Sequence, residues 1–165
     1  AREGDYILSA SSNMYFHSGF DTLTIRIKNF QDYNRKIPIQ KITVGYKSNI
    51  GDLEYSINAV ELSKQGEQKL AQVVDLLRYN PQISIELACH TDSRGDDDYN
   101  LELTQRRAER IVAYLSEFEI KTTRITPKGY GETQLLNECT NGVFCETEKH
   151  AENRRVEFQI IAIKQ

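Results

Sequence analysis

Between Gln82 and Leu115 the hydrophobic period of the chain changes once, and that change limits what the chain can become. In "QISIELA" the apolar residues Ile83, Ile85 and Leu87 alternate with Ser84 and Glu86, the period of two of a half-buried strand. After an acidic turn, Leu101, Thr104, Ala108, Ile111, Val112 and Leu115 recur at helical spacing along one side of the next segment. A strand followed at once by an amphipathic helix buries its apolar surface against that helix, so the chain is committed to a layered α/β arrangement.

The same succession precedes it. "LEYSIN" alternates Leu53, Tyr55 and Ile57 against Glu54, Ser56 and Asn58, which predicts a strand. Leu70, Val73, Val74 and Leu77 then predict a helix that Asn80 and Pro81 stop. Downstream, "RITPKGYGE", weakened by Pro127, and "RRVEFQIIAI", with Val156, Phe158 and Ile160 alternating with Glu157 and Gln159, predict two more strands. The order is β-α-β-α-β-β. Because the strands alternate, helices should cover one face of a mixed sheet while the other meets water or a further layer, a two-layer α/β sandwich.

The first fifty residues differ. "DYILSAS", "TLTIRIKNF" and "IPIQKITVGY" are strand-like runs joined by polar turns, with no helical period. That much strand buries too little surface to stand alone. Residues 1–48 are therefore expected to be the β-rich tail of an upstream domain plus a connector, with an extra edge sheet of the main domain as the alternative. Residues 49–165 form the main domain. A chain of 165 residues, 39% hydrophobic and 27% charged, suits one domain and a fragment. It opens on Ala1, and "AREGDYILSA" lacks a basic start and an apolar signal core, so upstream sequence carrying any targeting signal is expected to be missing.

"ECTNGVFCE" sets Cys139 and Cys145 six apart in a polar loop, a spacing that can close a short disulfide. Such a bridge stabilises by roughly 2 kcal/mol on the loop-entropy model and persists only in an oxidising compartment. Two reduced thiols are the alternative, as is half a metal site with His150, which lacks further ligands.

Several functions lack their residues. A net charge of -3 with mixed signs gives no field that would draw nucleic acid or an anionic lipid surface. Cys89 and His90 are adjacent on a strand, so they point to opposite faces and cannot pair as nucleophile and base. His90 and Asp92 want a third metal ligand. No Gly-rich phosphate loop occurs, and "GYGE" reads as a turn. No enzyme and no cofactor is expected.

Together "HTDSRGDDDYNLELTQRRAERIVAYL", "RITPKGYGE" and "NRRVEF" resemble the OmpA C-terminal-like, peptidoglycan-associated domain, over roughly Ile50 to Ile163. The resemblance implies the β-α-β-α-β-β fold reached above and a ligand, the stem peptide of peptidoglycan of the meso-diaminopimelate type. The free end of diaminopimelate carries an ammonium and a carboxylate on one carbon. Asp92 suits the ammonium, and Arg107 offers a planar fork for the carboxylate. Asn100 lies two helical turns before Arg107 on the same face, whereas Arg106 should point to solvent. The bland alternative is a turn-forming aspartate and a snorkelling arginine. Asp96, Asp97 and Asp98 suit the helix N-terminus better than a ligand.

The resemblance further implies roles for Thr91, Asn100 and Leu103, and for Asn153 with Arg154 closing the site from the start of the last strand. Arg154 shares parity with Val156 and Phe158, so its charge needs a partner. The sequence departs from the family pattern at Cys89, where glycine is usual, and at Ser56, where an aspartate is common. The cysteine-bearing loop and upstream β tail also resemble Bacteroidetes members that end multidomain chains of the type IX secretion system. The implied location is the periplasm, associated with the outer membrane, with outer-membrane or secretion-system proteins as further partners. A protein-interaction scaffold with a degenerate pocket is the alternative.

Overall fold

The structure is a computed structural model that describes residues 4–8, 15–17, 23–27, 39–56 and 59–164. The chain divides into two compact units, Ala1–Ile42 and Thr43–Gln165. In the first, the described residues form the short strands β1 (Gly4–Leu8), β2 (Tyr15–His17), β3 (Leu23–Ile27) and β4 (Ile39–Lys41), with β1 antiparallel to β3 and β2 antiparallel to β4.

The second unit runs β5 (Lys47–Gly51), α1 (Lys64–Tyr79), β6 (Ile83–His90), α2 (Asp97–Ser116), a 3-10 turn at Thr122–Arg124, β7 (Ile125–Gly131), α3 (Thr147–Asn153) and β8 (Arg155–Ile163). The mixed sheet has the order β5-β8-β6-β7, with β6 and β7 parallel and β8 antiparallel to both its neighbours. Parallel neighbours need a crossover, and α2 supplies it. Ile83, Ile85 and Leu87 of β6 and Val156, Phe158 and Ile160 of β8 are buried in one core with Leu70 and Leu77 of α1 and Ala108, Ile111 and Leu115 of α2. Alternate residues, among them Glu86, Glu157 and Gln159, are less buried and mark the polar face of the sheet.

Local chemistry starts both long helices. The Ser63 hydroxyl accepts from Gly66 N at 2.9 Å and donates to Leu53 O at 2.9 Å, joining the start of α1 to the loop before it. Asp96 accepts from Tyr99 N at 2.9 Å, and Asp97 and Asp98 follow in the first turn of α2, where carboxylates favour the helix dipole. α2 then lies directly on β7. A Cβ added to Gly129 would come within 2.3 Å of Gln105 N, so only glycine permits that approach. Gly129 N donates to Gln105 Oε1 at 2.8 Å, and Gly131 N to Thr104 Oγ1 at 2.9 Å.

Four sequence expectations need correction. The first strand of the sheet is Lys47–Gly51, upstream of "LEYSIN"; with Ile50 its one buried residue, "KSNIG" carries no alternation to detect. Residues 53–56 are loop: Glu54 has φ of 58°, which breaks an extended path, while Leu53 is buried in the core. Ile57 and Asn58 lie outside the described residues. "GYG" closes β7 rather than forming a turn. On α2 the buried side passes through Asn100 and Leu103, and Leu101 is 45% exposed. α3 was not anticipated, because "TEKHAEN" offers no apolar stripe.

Candidate functional site

At the end of β6 the chain turns through Thr91, Asp92 and Ser93, all buried, before α2 begins. Asp92 bends this turn: Oδ1 accepts from Arg94 N at 3.1 Å, the local bond that favours aspartate in turns. The same carboxylate accepts from Arg94 Nη2 at 2.8 Å and from Arg154 Nη1 at 2.8 Å. Burial pushes the Asp92 carboxyl up, but the hydrogen bonds from Arg94 and Arg154 outweigh it and hold it below the ordinary carboxylate range. Asp92 is therefore an ionised acceptor that two arginines already occupy.

Arg154, between α3 and β8, finds the partner its position demands, and a second besides. Its Nε lies 3.3 Å from Asp52 Oδ2, in the loop after β5. Asp52 was not singled out from the sequence. The departure at Ser56 led to the expectation of a lost carboxylate, and Asp52 supplies one to the same arginine that holds Asp92.

Arg107 stands differently. Its Nε donates to Ala59 O at 2.9 Å, and its guanidinium lies 4.1 Å from the centroid of the Tyr55 ring. The head thus reaches the loop after β5, not the end of β6. No carboxylate pairs with it among the described residues. Burial depresses its pKa, against the opposing influence of Tyr55, Cys89 and Asp52. A half-buried guanidinium without a paired carboxylate among the described residues is costly, and an added carboxylate would offset that cost. Arg106 faces solvent, 3.8 Å from Glu102.

The other expected residues frame these charges. Asn100 donates through Nδ2 to Glu132 Oε2 at 2.8 Å and to Arg94 O at 3.3 Å, fixing the turn to β7's far end. Thr91 N donates to Gly131 O at 2.9 Å, while its buried hydroxyl has no partner among the described residues. Leu103 is buried in α2. Asn153, fully buried, accepts from Leu136 N at 2.7 Å and donates to Asn137 Oδ1 at 2.8 Å, so its amide holds the loop between β7 and α3.

That loop contains the disulfide of Cys139 and Cys145. Ser93 Oγ donates to Cys139 O at 2.6 Å, and Asn141 Nδ2 to Asp97 Oδ1 at 2.9 Å, so the bridged loop clasps both the Asp92 turn and the start of α2. Cys89 is a free, buried thiol whose pKa burial pushes up to about 12. The positive charge of Arg107 opposes that rise.

A mixed four-stranded sheet with a charged turn where β6 meets α2, joined there by Asp92, Asp52, Arg94 and Arg154, defines a small α/β domain. The chain belongs to the OmpA family, whose model matches residues 55–148. Outer membrane porin F of Pseudomonas fluorescens is 34% identical over 109 residues, which are 66% of this chain and 31% of the porin. The peptidoglycan-associated lipoprotein of Brucella melitensis is 30% identical over 92 residues, 55% of each protein. The chain thus spans well under two thirds of either relative. Among solved structures, a MotB-like protein from Desulfovibrio vulgaris superposes with a TM-score of 0.56 at 28% identity, over 68% of this chain and 70% of that one.

Proposed function

We propose that this chain is a non-catalytic wall anchor that binds peptidoglycan through the diaminopimelate of the stem peptide. It would hold an outer-membrane-associated protein or secretion complex to the cell wall from within the periplasm. The observation that carries this reading is Arg107, half-buried on Tyr55 with no carboxylate partner among the described residues and under the influence of Asp52, the acid that Arg154 links to Asp92. A ligand carboxylate completes Arg107, and Asp52 and the ionised Asp92 are the acceptors offered to a ligand ammonium on the same carbon. A relative whose name is peptidoglycan-associated lipoprotein supports the wall as the ligand, and the disulfide supports an oxidising compartment such as the periplasm.

The roles of Asp92 and Arg107 as ligand contacts, with Arg154 beside them, belong to this proposal. Thr91, Asn100, Leu103 and Asn153 act by shaping the turn, the helix and the bridged loop. The division into an upstream β tail and a wall-binding domain is part of it as well. A narrower reading, that the parent protein is a type IX secretion component like PorE of Bacteroidetes, rests on the resemblance of the cysteine loop and the β-rich start.

Calorimetric titration of a diaminopimelate stem peptide into wild type and Arg107→Ala tests the core of the proposal, with the lysine analogue as control. Loss of a charged hydrogen bond of about 1.5–3 kcal/mol predicts roughly ten- to hundredfold weaker binding by the variant, and by the lysine peptide to wild type. Equal binding of both peptides by both proteins would leave the wall fragment without a zwitterion site. No binding by wild type, with no pelleting on insoluble wall, would favour a protein-interaction scaffold that retains the fold.

A further inference from the structure

The Asp92 carboxylate has no acceptor position left for a ligand. Oδ1 accepts from Arg94 N at 3.1 Å and from Arg94 Nε at 3.3 Å, and Oδ2 accepts from Arg94 Nη2 and Arg154 Nη1, both at 2.8 Å. Each oxygen thus takes two hydrogen bonds, and a carboxylate offers about four lone-pair sites in all. A ligand ammonium can reach Asp92 only by taking the place of a donor already there.

Which donor can leave follows from what else each one holds. Arg94 N belongs to the main chain of the turn, and Arg94 O accepts from Asn100 Nδ2 at 3.3 Å, so the backbone there is tied on both sides. Arg154 joins two acids, with Nε 3.3 Å from Asp52 Oδ2, and its side chain is 32% exposed. Withdrawing it would take a cation from Asp52 and from the buried Asp92 together. The Arg94 side chain is 55% exposed, and its hydrogen bonds among the described residues all go to Asp92. Its head can turn into water about a fixed main chain. That movement vacates one position on each oxygen while Arg94 N stays on Oδ1 and Arg154 on Oδ2. An ammonium carries three donors, enough to fill both vacated positions.

We propose that Arg94 is a specificity-determining residue of the wall site: its guanidinium fills the ammonium position on Asp92 in the empty protein and swings out to admit the ligand. This rests on the wall-anchor reading and deepens it. With Arg94 in place, a ligand enters only if its gain exceeds a two-point charged pair on a buried carboxylate. A lone amine exchanges like for like and is refused, whereas a ligand whose carboxylate also engages Arg107 has a surplus. The empty site meanwhile keeps its buried acid paired, which avoids the cost of an isolated charge.

The test is calorimetric titration of the diaminopimelate stem peptide and its lysine analogue into wild type, Arg94→Ala and Arg106→Ala. The last removes the same charge from a side chain that faces solvent beside Glu102, and so controls for net charge. Arg94→Ala should bind both peptides about tenfold more tightly than wild type, and Arg106→Ala should match wild type. Equal or weaker binding of the diaminopimelate peptide by Arg94→Ala, or the same gain in Arg106→Ala, would overturn the proposal and leave the wall reading standing. Absence of binding by wild type and Arg94→Ala alike would sink the wall reading and the proposal with it. A second measurement uses wild type alone: on adding the diaminopimelate peptide, the Arg94 Nε–H resonance should move to the position of a solvated guanidinium while that of Arg154 stays paired. The reverse pattern would make Arg154 the residue displaced and refute the assignment to Arg94.

Discussion

Acidification should destabilise this protein through the buried ring of His90. Burial lowers the pKa of His90 to about 4 in the folded chain, with the charge of Arg155 and of Lys47 acting the same way and Glu157 opposing them. In the unfolded chain the ring returns to about 6.5. Between these values the unfolded state binds the extra proton, so stability is complete above pH 6.5 and is lost as pH falls toward 4. The difference is roughly 2.5 pK units, about 3 kcal/mol at pH 4, and the 1% exposure of the side chain leaves little solvent screening to reduce it. Urea unfolding of wild type and His90→Gln across this range measures it, because glutamine cannot titrate and the other groups cancel in the difference. Wild type should lose about 3 kcal/mol more than the variant on going from pH 7 to pH 4. Parallel losses, or a folded-state imidazole that titrates near 6.5 by NMR, would refute the account of a neutral, desolvated His90.

Two further outcomes concern packing and covalent structure. Gly129→Ala should destabilise by about 1–3 kcal/mol in thermal or urea unfolding, because its Cβ would meet the backbone of Gln105 at 2.3 Å; an unchanged midpoint would mean that α2 and β7 can separate freely. Thiol titration of denatured, unreduced protein should find one thiol, Cys89, and native protein should react slowly if at all, since that thiol is buried; three thiols on denaturation would remove the Cys139–Cys145 bridge.

The elements readable from sequence were those whose packing imposes a period. Ile83, Ile85 and Leu87 alternate because β6 lies inside the sheet, and Leu70, Val73, Val74 and Leu77 repeat helically because α1 covers the core. β5 is an edge strand with one buried residue, and α3 buries only His150 and Asn153, so neither leaves a periodic trace. The candidate site divides the same way. Asp92 and Arg107 flank a strand and helix that sequence reveals, but the partners that define their chemistry come from elsewhere in the chain. Asp52 meets Arg154 across 102 positions, and Ala59 meets Arg107 across 48. Charge pairing at such separation leaves no local signature. Arg94 is the exception: the turn-forming reading of Asp92 is local, and the turn brings Arg94 onto the same carboxylate.

Because Asp92 is already shared by Arg94 and Arg154, an encounter with the proposed wall ligand is an exchange rather than an addition. The incoming ammonium displaces a guanidinium, and the released guanidinium requires an anion. A simple amine would break one ion pair to make another and gain little. A zwitterion brings its own anion for the displaced arginine or for Arg107, so the total of paired charges rises only for that shape of ligand. Selectivity then resides in conservation of ion pairs, and affinity should respond weakly to salt, since screening acts on the pairs broken as well as on those formed.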